Sequence, residues 1–279
     1  MSCTEEKEKL EQKNVPSALP QLLCAIALSF GSTIAGGWMS FSSVAIPKMM
    51  RNTTDDLEEE DNIQIDLHTG SWIASLFFFG NIIGCLLGGF VNQRIGARRA
   101  YLCSAPLVCL TWAMIALSHS VWMILVSRVI SGVVFGVFQA NGKVYNAEIA
   151  HPDMRGSLGT IMSNMFALGS IYTYLTGYFV TSWRVVAWLQ MLPACLLGIS
   201  VLFIPDSPYW LVERGREEEA RRSLSNLRGS SYDIEEEFLE IVNKKRAKEE
   251  RGRSVSQTLF SRVSIVAFLR IGGLMMITQ

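Results

Sequence analysis

The sequence predicts an all-α membrane protein: six transmembrane helices in a bundle, a charged helical stretch outside the bilayer, then the opening of a seventh span. Three observations predict it. Only 18% of the 279 residues are charged, 49% are hydrophobic, and mean hydropathy is +0.27; an average soluble chain carries about 25% charge. The missing charge is concentrated, with long stretches between Leu19 and Ile204 almost free of it. Those stretches approach the roughly 20 apolar residues that cross a hydrocarbon core as a helix. A bilayer cannot hydrogen-bond an exposed backbone, so helix is the form left to them.

Taken in order, residues 1–18 form a tail of mixed acidic and basic character up to Lys13 with no leading apolar core, so no signal peptide is expected. The six spans run from about Leu19 to Ile46, Trp72 to Asn92, Tyr101 to Leu117, Val121 to Ala147, Leu158 to Thr181 and Val185 to Ile204. The bundle is therefore 19–204, and 205–262 is a cytoplasmic helical linker rich in both signs. Residues 263–279 hold an apolar run that opens near Ile265 and reaches Gln279. This run is shorter than a span, and is expected to be a truncated seventh helix.

Orientation follows from short basic loops. Arg94, Arg98 and Arg99 follow span two, and Arg155 follows span four. The segment between spans one and two is acidic, with Asp55, Asp56, Glu58, Glu59, Glu60, Asp61 and Asp66. The N-terminus is expected to be cytoplasmic and the acidic loop outside; Arg184 dissents. The sequon at Asn52 lies in that outside loop and is a glycosylation candidate.

Cys3, Cys24, Cys85, Cys103, Cys109 and Cys195 form no C-x-x-C pair, and five of them lie in or beside spans, where Cys acts as a small apolar residue. His68, His119 and His151 fall in three separate loops. No Walker loop, Gly-x-Ser-x-Gly or His-Glu-x-x-His occurs, so no catalytic residues, metal, cofactor or nucleic-acid partner is expected.

Small residues stud the spans: Gly80, Gly84, Gly88 and Gly89 in the second, Gly132 and Gly136 in the fourth, Gly159, Gly169 and Gly177 in the fifth. Gly80, Gly84 and Gly88 share one helix face and predict close helix packing. Three clusters then mark the cytoplasmic side. They are "GGFVNQRIGARR" (Gly88–Arg99), "KVYNAEIAHPDMRG" (Lys143–Gly156) and "PDSPYWLVERGREEEARRSLSNLRG" (Pro205–Gly229). Their carboxylates and guanidiniums, at the inner ends of different helices, suit a network that forms in one conformation and breaks in another. Ser207-Pro208 suits a helix start, and Glu217–Glu219 before Arg221 and Arg222 suits a solvated helix.

In this order the clusters resemble the sugar porter family of the major facilitator superfamily, and within it the insect facilitated trehalose transporter type. The family has Gly-x-x-x-Asp-Arg-x-Gly-Arg-Arg after span two; here stand Gly89, Arg94, Gly96, Arg98 and Arg99, with Gln93 at the acidic position and Ala97 inside the basic run. Around span four the family has Arg-x-x-x-Gly-x-x-x-Gly, Pro-x-Tyr-x-x-Glu and Arg-Gly; here stand Arg128, Gly132, Gly136, Tyr145, Glu148, Arg155 and Gly156, with Lys143 in place of Pro. "PDSPYWL" resembles Pro-Glu-Ser-Pro-x-Trp-Leu, with Asp206 conservative. The resemblance covers about residues 20–279 and implies the family's N-terminal six-helix half. It also implies a gating network of Arg94, Gly96, Arg98, Arg99, Glu148, Arg155, Asp206 and Arg214.

The implied activity is sugar transport by alternating access, of the trehalose or hexose class, in a multi-pass plasma-membrane protein. Carriers bind near the midplane, and a sugar wants hydroxyl-matching groups and an aromatic face. The candidates are Thr33 and Trp38 in span one, Gln139 and Asn141 in span four, and Ser163, Asn164 and Tyr172 in span five, with Ser29, Thr173 and Tyr174 nearby. By family position Ser163 stands where glucose carriers have a sugar-contacting Gln, and Thr278-Gln279 falls on a sugar-contacting Gln-Gln pair. The ionisable residues read as deep in a span are Lys143 and Glu148; Lys143 is expected to snorkel toward the cytoplasm and pair with Glu148. Span one carries no acid in "FGSTIAGGWMS", which favours facilitated diffusion over proton symport. The alternative is a non-transporting sugar receptor or a half-length partner of a full transporter. A six-helix half leaves its substrate-facing surface uncovered, so a second half or a longer product is the expected partner beside sugar and the lipid bilayer.

Overall fold

The computed structural model describes residues 17–50, 63–151, 154–229 and 232–258. All regular structure among them is helical. The first five spans are α1 (Ala18–Met50), α2 (Leu67–Ile95), α3 (Ala97–Ala116), α4 (Val121–Ile149) and α5 (Arg155–Phe179). The sixth is divided into α6 (Trp183–Leu189) and α7 (Met191–Leu202). Three further helices, α8 (Pro208–Glu213), α9 (Glu217–Arg228) and α10 (Glu235–Thr258), lie at the end of the bundle where α7 emerges, the linker end. Asn52, Gln279 and the seventh apolar run fall outside the described residues.

Among the described residues, α1 to α4 and the stretch Trp183–Leu202 are long and apolar enough to cross a membrane. α5 has the length but not the apolarity, because Ser157, Thr160, Ser163, Asn164, Ser170, Thr173 and Thr176 are spread along it.

The expectation of one continuous sixth helix needs correction. Pro193 has no N–H to offer the carbonyl four residues back, at Leu189, so the helix breaks at Gln190. The freed Leu189 carbonyl accepts a hydrogen bond from the Tyr172 hydroxyl at 2.8 Å. Gln190 itself is buried and donates to Thr173 Oγ1 at 3.0 Å.

Two glycine-mediated contacts set the bundle. A Cβ on Gly80 or Gly84 of α2 would collide with the carbonyl of Val129 or Val133, and one on Gly132 or Gly136 of α4 with that of Phe77 or Asn81. α1 and α5 meet in the same way, Gly36 against Phe166 and Gly169 against Thr33. With no hydrophobic drive between helices in lipid, such backbone approach supplies the dispersion contact that holds them together.

The buried aromatic core joins α1, α3 and α4. Trp38 stacks on Trp112 at 6.3 Å and meets Phe135 edge-on at 6.2 Å. Beside it sits Arg128, 1% exposed. Its guanidinium lies 5.5 Å from the Phe41 ring and 5.2 Å from the Phe77 ring, and Nε donates to the Ile73 carbonyl at 3.3 Å. A second guanidinium nitrogen donates to Ser42 Oγ. Arg128 therefore corrects the reading that Lys143 and Glu148 are the deep charges. Arg184, the dissenter in orientation, has a local explanation: it donates to Ala116 O at 2.9 Å, capping the last turn of α3.

Candidate functional site

A cavity of about 600 Å³ opens between α1, α4 and α5 on their linker-end halves. One wall is a single stripe of α4 bearing Gln139, Lys143 and Asn146, spaced four and three residues apart as one helix face requires. The facing wall is a stripe of α5 bearing Arg155, Gly159, Met162 and Ser163. Gly31 and Ser32 of α1 and the Tyr101 ring close the back. Gly142 makes this possible, since a Cβ there would strike the Tyr101 hydroxyl, which instead donates to Phe138 O at 3.3 Å.

Among the sequence-derived substrate candidates, Gln139 and Ser163 line the cavity. Trp38 is wholly buried in the aromatic core, and Thr33 donates to Ser29 O at 3.2 Å where α1 packs on α5. Asn141 faces α2, donating to Val137 O at 2.7 Å and Gly88 O at 3.4 Å. Tyr172 is committed to the broken helix, and Asn164 is exposed outside the cavity lining. Lys143 lines the cavity, while the Glu148 carboxylate accepts from Ser207 Oγ at 2.5 Å. Lys143 thus stands at the cavity, and Glu148 reaches the Ser207 corner.

Most of the predicted gating residues meet at the linker end. Gly96 has φ +82 and ends α2 in a turn that starts α3 at once. A side chain there would be strained and would also strike the Trp210 ring. Arg99 and Arg214 lie 5.3 and 5.5 Å from that same ring. Arg214 donates to the carbonyls of Gln93 and Arg94, at 3.0 and 2.5 Å, satisfying the end of α2. Arg98 does the same for α7, donating to Leu202 O at 3.0 Å, and stands 3.6 Å from Asp206. Arg155 lies apart from this cluster, at the cavity.

The corner after α7 is held by Tyr145, whose hydroxyl donates to Pro205 O at 2.5 Å, and by Ser223, which donates to Asp206 O at 2.5 Å. Ser207 caps α8, accepting from Trp210 N, with Pro208 in the first turn as expected. Trp210, Leu211, Val212, Ala220, Leu224, Phe238 and Ile241 then form a separate small core. Sequence reading missed its anchor. Arg228, 2% exposed, donates twice to Glu237, at 2.8 and 2.5 Å, and to Ile149 O at 2.8 Å. Its own carbonyl accepts from Ser17 N at 2.7 Å. The available signal was its position beside Leu227, next to the apolar Ala220–Leu224–Leu227 face of α9. Farther along, hydrogen bonding to Glu240 at 2.6 Å holds the Lys244 ammonium above its ordinary pKa.

The family model described as "Sugar (and other) transporter" matches residues 19–279. The chain is 30% identical over 261 residues to the facilitated trehalose transporter Tret1 of Polypedilum vanderplanki, covering 93% of this chain and 50% of that protein. It is 35% identical over 231 residues to Tret1 of Apis mellifera ligustica, covering 83% and 44%. To the human solute carrier family 2, facilitated glucose transporter member 6, it is 31% identical over 229 residues, covering 82% and 44%. It spans about half the length of these curated relatives. Its fold is similar to that of the proton:xylose symporter XylE bound to 6-bromo-6-deoxy-D-glucose, with TM-score 0.75 and 20% identity over 88% of this chain and 57% of that one. The partially occluded, inward-open XylE from E. coli aligns with TM-score 0.69 and 20% identity over 84% and 60%. The architecture is the six-helix N-terminal half of the major facilitator fold, and the chain is a multi-pass membrane protein that belongs to the sugar transporter family.

Proposed function

We propose that this chain supplies the substrate-binding six-helix half of a facilitative transporter for trehalose or a hexose, working by alternating access. The observation that carries the proposal is the cavity of about 600 Å³ lined by Gln139, Asn146 and Ser163, within the range of small-molecule sites. Facilitated diffusion is favoured over proton coupling because α1 holds no carboxylate, and Asp66 and Glu148 are the acids of α1 to α7 and their caps among the described residues. Neither serves as a buried proton relay: Asp66 caps α2, and Glu148 holds Ser207. The basic linker end is the cytoplasmic side in this reading, and the membrane is the plasma membrane.

The test is equilibrium binding of radiolabelled trehalose and glucose to the purified chain in nanodiscs, followed by vesicle uptake with and without a pH gradient. Saturable binding, weakened by Gln139→Ala, is expected, with no response of uptake to the gradient. No saturable binding of either sugar would overturn the proposal.

A further inference from the structure

Sequence spacing pairs none of the cysteines, but the fold brings two of them together. α3 and the sixth span run antiparallel along a seam whose register is fixed at both ends and in the middle. At the linker end Arg98 donates to Leu202 O at 3.0 Å. At the far end Arg184 donates to Ala116 O at 2.9 Å. Between them a Cβ on Gly198 would lie 3.5 Å from that of Ala105. Cys109 stands four residues beyond Ala105 and Cys195 three before Gly198, so both continue the contacting stripes. Their side chains share a hydrogen bond. Both thiols are free, Cys109 half-buried and Cys195 exposed. The exposed neighbours include Leu110 of α3 and Leu192, Leu196 and Ile199 of α7, so this part of the seam faces lipid.

We propose that Cys109 and Cys195 form an oxidation site within the membrane, which a lipid hydroperoxide converts to a disulfide that fastens the linker-end half of the sixth span to α3. A disulfide needs its Cα atoms within roughly 7 Å, a spacing that close helix approach at a glycine favours. Cys195, the exposed thiol, attacks the terminal peroxide oxygen. The O–O bond breaks, the sulfur is oxidised to sulfenic acid, and the thiol proton leaves with the alkoxide as a lipid alcohol. The Cys109 sulfur then attacks the sulfenic sulfur. The S–S bond forms, the S–O bond breaks, and the hydroxyl departs with the Cys109 proton as water. Two thiols and one hydroperoxide thus give one disulfide, one alcohol and one water. A neutral thiol is a slow nucleophile, so the pair responds to a peroxide concentrated in the bilayer and not to a dilute aqueous one.

The experiment treats the full chain in phosphatidylcholine nanodiscs with cumene hydroperoxide, then maps its peptides without reduction. A linked Cys109–Cys195 peptide pair is expected, with both thiols lost from alkylation together and recovered on reduction. Amide exchange in α7 is expected to slow in the oxidised chain. In Cys109→Ser, a near-isosteric change, no linked pair is expected; a sulfenic acid at Cys195 is trapped by dimedone instead, and exchange in α7 does not slow. Sulfenic acid trapped at Cys195 of the native chain without a linked pair would overturn the proposal, because the two sulfurs would then be too far apart to join. Survival of both thiols, or a disulfide formed between chains, would overturn it equally. A linked pair with unchanged exchange in α7 would overturn the fastening of the sixth span.

Discussion

The Arg228 guanidinium grips the Glu237 carboxylate with two hydrogen bonds, at 2.8 and 2.5 Å, while its third donor holds the last carbonyl-bearing turn of α4 at Ile149. One side chain therefore fastens α9 to α10 and both to the helix that forms a cavity wall. Removing one partner of a buried pair leaves the other charge uncompensated and costs about 3–5 kcal/mol. Arg228→Ala is expected to release the linker helices from the bundle, seen as rapid proteolysis between α9 and α10 and as lost amide protection in α9. Glu237→Gln keeps an acceptor and is expected to do so less. Unchanged protection in Arg228→Ala would show that the apolar core around Trp210 holds the linker without this pair.

The glycine seams make a sharper contrast. Gly132 sits where any Cβ would collide with the Phe77 carbonyl, whereas Gly89, one residue beyond the Gly80–Gly84–Gly88 face, has open space around it. Gly132→Ala is expected to part α2 and α4 and yield an aggregated or poorly inserted protein. Gly89→Ala is expected to leave folding unchanged and to favour helix by up to about 1 kcal/mol. Monodispersity on size exclusion in mild detergent checks both. Two monodisperse variants would mean that the seam can slide apart at no cost.

How much of this was legible differs by residue. The apolar runs located α1 to α4, and the less apolar α5 with them, because hydropathy averages over about 20 positions and tolerates error at the ends. The same averaging passed over Arg128 as a deep charge, although the motif resemblance names it, and passed over Pro193, whose missing donor splits the sixth span. Motif clusters located the linker-end network, because Gly96, Arg98, Asp206 and Arg214 act near their own helix ends. The cavity was only half legible: Gln139 and Ser163 line it, but Trp38 and Asn141 face neighbouring helices. Composition names polar and aromatic residues, and only packing decides which face of a helix is free. Arg228 was hidden for a related reason, since its partner Glu237 lies on the next helix.

Orientation is tested by single cysteines in a cysteine-free background. Arg222, exposed on α9, is on the cytoplasmic side if the basic loops face inward. Arg222→Cys is expected to resist a membrane-impermeant maleimide in intact cells and to react after permeabilisation. His68→Cys, exposed near the start of α2, is expected to react without it. The opposite pattern would invert the topology.

A pH response is expected at the other end of α2. Asp66 caps that helix, its carboxylate accepting from Thr69 N at 3.0 Å, and these hydrogen bonds hold its pKa below the ordinary 3.8. A lowered folded-state pKa contributes stability above the unfolded value and loses it as pH falls through the folded one. Fraying of the first turn of α2 is therefore expected only below about pH 4, and is expected to be present at neutral pH in Asp66→Ala. Amide exchange at Thr69 reads it. Equal protection in the variant at pH 7 would show that the cap contributes nothing there.

Arg128 poses the remaining question, whether a buried cation stabilises this bundle or is kept at a cost. Moving a guanidinium out of water is expensive, and no carboxylate is paired with Arg128 among the described residues. Four contacts offset this: the rings of Phe41 and Phe77, and donation to Ile73 O and Ser42 Oγ. Desolvated cation–π contacts contribute about 2 kcal/mol, and planarity is what lets the guanidinium use them. Lysine keeps the charge but presents a compact, strongly hydrated ammonium with no plane to stack. Methionine fills similar volume, brings no charge, and leaves Ile73 O with its own helix partner. Arg128→Lys is therefore expected to unfold at lower temperature than the native chain, and Arg128→Met at the same temperature or higher, in the same detergent. The reverse order would mean that the charge itself is a net stabilising element, balanced by a partner that the two rings and two oxygens do not account for.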